Sequence, residues 1–167
     1  MTASINDASM HSTPRSPQPD YQLAQITLKF ADDDGGGVDL IDLLEALNAN
    51  THQLQWGIAH LKAIWDDPNS FFRSLEESSE HNTAGRWLDF SLLMQLSRHL
   101  LLLRQGRIVA LSPGVEPEQV SDANAMVQHA VIVIETGDDW VWRVAMADRG
   151  ALARLEHQFE KFLWLPS

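Results

Sequence analysis

Val127-Gln128-His129-Ala130-Val131-Ile132-Val133-Ile134-Glu135, followed after Thr136-Gly137-Asp138-Asp139 by Trp140-Val141-Trp142-Arg143-Val144-Ala145-Met146, decides the fold. Both runs are rich in β-branched and aromatic residues, and the four residues between them have the composition of a hairpin turn. Asp148 follows, a side chain suited to cap a helix N-terminus. Leu152, Leu155, Phe159 and Phe162 then stand at i, i+3, i+7 and i+10, one apolar helical stripe. An antiparallel hairpin followed by an amphipathic helix predicts an α+β fold, a mixed or mostly antiparallel sheet with helices packed on one face. Trp140 and Trp142, two apart, are expected to share a strand face with Val144 and Met146. If that face meets the last helix it is core; if it meets water it is an aromatic interface patch.

Upstream, Ile26 to Phe30 alternates apolar with polar residues and predicts a strand. Asp32-Asp33-Asp34-Gly35-Gly36-Gly37 reads as a loop. Leu40, Leu43, Leu44 and Leu47 predict a helix over 38–49, with Asp39, Asp42 and Glu45 near its positive end. His52 to Trp65 fits either period, and Gly57 tips it towards a strand with Trp56 and Ile58 on one face. Phe71 to Glu77 predicts a short helix, and 78–85 a polar loop. Trp87 to Leu103 reads as a central helix, apolar on most sides and stopped near Arg104 and Gly106. Arg107 to Leu111 predicts a strand, and 115–125 a polar connection. Trp164 lies past the last stripe as a candidate terminal anchor.

The 167 residues suit one domain with a tail. Residues 1–19, with Pro14, Pro17 and Pro19, read as a flexible N-terminal tail, and 20–167 as a single α+β domain. The absence of cysteine excludes disulfides, thiolate metal sites and a cysteine nucleophile. Twelve Lys and Arg against 23 Asp and Glu give a net charge of −11, which argues against a nucleic acid partner. The N-terminus shows neither a basic start nor an apolar stretch of signal-peptide length, and 87–103 carries Asp89, Arg98 and His99. The expectation is therefore a cytoplasmic chain that does not enter membranes.

Charge is unevenly spread. Residues 31–80 hold eleven acids against Lys62 and Arg73, whereas 81–112 hold Arg86, Arg98, Arg104 and Arg107 against Asp89 alone. The acids Asp32, Asp33, Asp34, Asp66, Asp67, Glu76, Glu77 and Glu80 are candidates to dock a basic protein surface, with Trp140 and Trp142 as aromatic anchors. Their plainer role is to keep the surface solvated.

No chemical motif emerges. The acidic run at 32–39 lacks the alternating spacing and closing glutamate of a calcium loop, and the glycines at 35–37 lack the following Lys-Ser or Lys-Thr of a phosphate loop. The seven histidines form no metal motif, and His52 and His60 on one strand would stand roughly 26 Å apart. No cofactor or metal is expected. Asp89, Arg98 and His99 form a candidate polar cluster on the expected central helix.

The reading that fits these features is a non-enzymatic acidic protein-binding module, an inhibitor or immunity-type protein or an accessory subunit of a bacterial system. A dimeric secretion-type chaperone is the first alternative, and would need an exposed apolar groove and a homodimer surface. A small-ligand binder or enzyme with an unrecognised site is the second.

Overall fold

Six antiparallel strands form one sheet in the order β1-β6-β5-β4-β2-β3 in a computed structural model that describes residues 23–31, 36–47, 51, 53–67, 71–81 and 85–165. The strands are β1 (Ala24–Lys29), β2 (Trp56–Trp65), β3 (Arg86–Leu88), β4 (Leu100–Leu111), β5 (Ala130–Thr136) and β6 (Val141–Met146). The helices are α1 (Leu40–Leu47), α2 (Phe71–His81), α3 (Phe90–His99), α4 (Ala123–Gln128) and α5 (Arg149–Gln158). The α+β expectation holds, with every strand pair antiparallel. The acidic run 32–34, the tail 1–19 and His52 lie outside the described residues.

Alternation along the strands splits the apolar residues between two faces. Ile26, Leu28, Ile58, Ile108, Ile132, Ile134, Trp142 and Val144 join the leucines of α1, α3 and α5 in the main core. Asp148 caps α5 as expected, accepting from the Ala151 N–H at 2.9 Å. The opposite face holds a smaller core of Ala59, Val109, Leu111, Val133, Val120, Met126 and Val127. Its cover comes from the stretch read as a polar connection and from the start of the run read as a strand: Pro117–Gln119 makes a 3-10 turn, and α4, capped by Asp122 at 2.8 Å from the Ala125 N–H, takes in Met126, Val127 and Gln128, so the strand expected from Val127 begins only at Ala130. Helices therefore lie on both faces, the larger group on one. Six residues of α4 are too few to give a periodic signal.

Two further expectations are corrected. Residues 87–103 are not one helix. Asp89 accepts from the Leu92 N–H at 2.7 Å, so the helix starts only at Phe90, and Trp87 lies in β3. It ends at His99, where Leu100 turns to an extended φ of −87° and ψ of 117° and begins β4. Arg104 and Gly106 are strand residues, not a helix stop. The excess of apolar positions arose because half of them line a helix face and the rest a strand. Ser78 and Ser79 are not loop either; α2 runs on to His81, with the Ser79 hydroxyl bonded to the Glu76 carbonyl at 2.9 Å.

β4 outruns its neighbour. It pairs with β5 from Gly106 to Leu111 and with β2 along its whole length. Beyond Gly106, Leu100–Gln105 and Lys62–Trp65 continue as a two-stranded arm. His60, with φ of 55°, marks the irregularity where β2 leaves the main sheet. Six strand residues give this overhang a length of about 20 Å.

Candidate functional site

The two edges of the arm differ. α2 packs along β2, and the Leu61 N–H donates to the Ser79 hydroxyl at 3.2 Å. The side of β4 away from β2 has no strand partner over Leu100–Gln105 among the described residues. This edge borders a cleft of about 290 Å³, whose far wall is built from Phe30, Asp39, Leu40, Ile41 and Trp142. The Trp142 indole donates to the Val38 carbonyl at 2.7 Å and its ring stacks on Phe30 at 4.9 Å, which fixes that wall.

The arm also concentrates apolar surface. Leu101 is 67% exposed, Phe71 61% and Ile64 45%. Ile64 pairs with Leu102 and lies with Arg73 and Glu76 on the α2 side, whereas Leu101 borders the cleft beside Phe30 and Leu40. Phe71 stands edge-on to Phe72, whose ring stacks between Trp65 at 5.9 Å and His99 at 5.3 Å. Large apolar side chains left in water at one end of a molecule mark an interaction surface.

Charge flanks this surface on two sides. On the α2 side, exposed Asp66 meets the His99 imidazole at 2.9 Å and Asp67 lies beside it. Glu76 accepts from the Trp65 indole at 2.9 Å, and Glu77 lies 4.0 Å from Arg73. Glu80 falls on the same helix. On the β4 side, Arg98 and Arg104 are exposed and make no ion pair with a described carboxylate, although Asp39 shares the cleft with Arg98. Burial, then the neighbouring Asp42 carboxylate, raises the Asp39 pKa above its ordinary value of 3.8.

The structure thus brings together Asp66, Asp67, Glu76 and Glu77 from the sequence candidates, all engaged within the chain. It separates Trp140 from Trp142. Trp140 precedes β6 with φ of 56°, which breaks the strand alternation, so its ring is half exposed while Trp142 is buried in the core. Phe30 touches both rings. Asp89, Arg98 and His99 do not cluster, because Asp89 caps one end of α3 and His99 closes the other. Trp164 anchors the terminus through its backbone, donating to the Thr27 carbonyl at 2.8 Å, with its indole half exposed.

Sequence reasoning placed Leu100–Leu103 in a helix, whereas they begin β4. Asp89, an N-cap residue, could have marked the helix start at Phe90, but nothing in the leucine run marks its end at His99.

A second cavity of about 340 Å³ lies between α1, α5 and the β5–β6 layer, walled by Leu47, Leu54, Met146 and Leu155. Its carboxylate, Asp148, is committed to the α5 cap. Among the described residues no group of three or more His, Asp or Glu is placed to hold a metal ion, and no helix is long and apolar enough to cross a membrane. Comparison with family models, with curated proteins and with solved structures gives no match to this chain.

Proposed function

We propose that this protein is a non-enzymatic protein-binding module whose docking surface is the β2–β4 arm. The observation that carries the reading is Leu101, two-thirds exposed on a strand whose outer edge is unpaired among the described residues. Strand edges of this kind are normally covered, shortened or guarded by charge or proline, because their free N–H and C=O groups template pairing with another chain. Here a run of four leucines occupies the edge. Leu101 supplies the apolar anchor on the open edge, Ile64 and Phe71 add apolar surface on the α2 side, and Asp66, Asp67 and Glu77 supply a charged rim that speeds encounter with a basic surface. A chaperone holding a client segment would use the same surface.

The test compares capture by the wild-type chain, Leu101→Asp and Leu165→Asp from one extract of the native host. Leu165 is a more exposed leucine far along the chain. The reading expects one partner retained by wild type and Leu165→Asp and lost by Leu101→Asp, whose circular dichroism stays that of wild type. Equal capture by both variants would overturn it.

A further inference from the structure

We propose that Leu100–Gln105 of β4 receives an extended, acid-bearing segment of a partner protein as an added β-strand. This rests on the protein-binding reading and specifies how the partner is recognised. Strand addition needs three things: free main-chain donors and acceptors, room for a chain beside them, and side-chain surfaces that select the sequence. The overhang has no strand partner on its outer edge among the described residues, whereas the matching edge of β2 is closed by α2 and the Ser79 hydroxyl. The cleft beside it is about 290 Å³ and is walled on the far side by Phe30, Leu40, Ile41 and Trp142, against which alternate apolar side chains of an extended segment would pack.

Charge selects the occupant. Arg98 lines the cleft and Arg104 lies on the overhang itself, both exposed and both without a carboxylate in ion-pair contact among the described residues. A second copy of the chain is the poorer fit. Antiparallel pairing of Leu100–Gln105 with itself would place the Arg104 guanidinium of each copy on the new ladder, with no acid in either strand to meet them, and would join two chains each of charge −11. A carboxylate on the incoming segment gives each arginine a charge-assisted bond. Asp39 in the far wall disfavours acids on that side, so the segment's carboxylates belong next to β4 and its apolar side chains next to α1.

The probe is a library of random dodecapeptides displayed on phage and selected on the full chain. Selected sequences should alternate apolar with polar residues and carry Asp or Glu. A synthetic peptide from the selection should slow hydrogen exchange of backbone amides within Leu100–Gln105, and N-methylation of alternate peptide amides should abolish binding. Arg98→Gln with Arg104→Gln should weaken binding roughly tenfold or more without shifting the melting temperature. Several results would overturn the proposal: basic or helix-patterned sequences, protection elsewhere in the chain, or an empty selection. Protection of Leu100–Gln105 that rises with protein concentration and no peptide would assign the edge to a second copy instead. If the proposal fails while the Leu101→Asp capture experiment still loses its partner, the docking surface stands and the strand-addition mode falls.

Discussion

The backbone N–H of Leu61 donates to the hydroxyl of Ser79 at 3.2 Å, the point where α2 closes one edge of an arm that β4 leaves open on the other. Ser79 is buried and its hydroxyl also donates to the Glu76 carbonyl. Ser79→Ala removes the acceptor and orphans a buried N–H, so a loss of about 1–3 kcal/mol is expected in urea denaturation. An unchanged midpoint would mean that the β2 edge is not held by this bond.

Gly57 sits under Trp87 and Met126. A β-carbon there would stand 2.7 Å from both the Met126 Cε and the Trp87 ring. Gly57→Ala should therefore cost about 1–3 kcal/mol through overpacking, despite the better strand propensity of alanine. Gly57→Ala with Met126→Ala should recover part of the Gly57→Ala loss, measured as a coupling in a double-mutant cycle. Strict additivity would show that the two do not meet.

Trp142 links the strand core to the segment before α1 through its indole bond to Val38 and its stacking on Phe30. Trp142→Phe keeps an aromatic ring and loses the hydrogen bond. A loss of at least about 1 kcal/mol in thermal unfolding is expected, together with faster exchange of the Val38 amide, which pairs with the Lys29 carbonyl at 3.0 Å.

Two carboxylates give opposite pH signatures. Asp139 is held below its ordinary value of 3.8, chiefly by hydrogen bonding to Arg143. Its contribution is present above the unfolded value and fades as pH falls through the lower folded value. Both partners are well exposed, so the contribution is less than about 1 kcal/mol. Asp39, raised by burial and by Asp42, acts the other way: its ionisation costs stability, and the cost grows as pH rises from 3.8 through the folded value. Asp39→Asn should be more stable than wild type at pH 7 and equal to it below about pH 3.8. A gain that persists at low pH would contradict the electrostatic account.

The β5–β6 hairpin and the α5 stripe were legible because their periods and caps agree: Asp148 caps, and Leu152 and Leu155 are buried. β2 was legible through Trp56 and Ile58, and its break at His60 was not, since a left-handed φ in a histidine leaves no compositional trace. The 87–103 segment misled because Leu93 and Leu96 pack at helical spacing and Leu103 packs from a strand, which merges two periods into one apolar run. Trp140 misled because the turn geometry, not the residue type, takes it off the strand face. The acids at 66–67 and in α2 were visible as charge, and Glu77 meets Arg73 within one helix turn, but the bonds of Glu76 to Trp65 and of Asp66 to His99 require the chain to fold back on itself. The open edge of β4 is a property of where β5 stops, which the sequence of β4 does not contain.

Site-specific photo-crosslinking tests the docking surface most directly. A benzophenone amino acid replaces Leu101 in one variant and Leu165 in another, and each is irradiated in native host cells. Leu101 is exposed, so the substitution should leave the fold within about 0.5 kcal/mol of wild type. The account predicts a covalent adduct to one partner protein from position 101 and none of that adduct from position 165. Adducts of equal yield from both positions, or none from position 101, would contradict it.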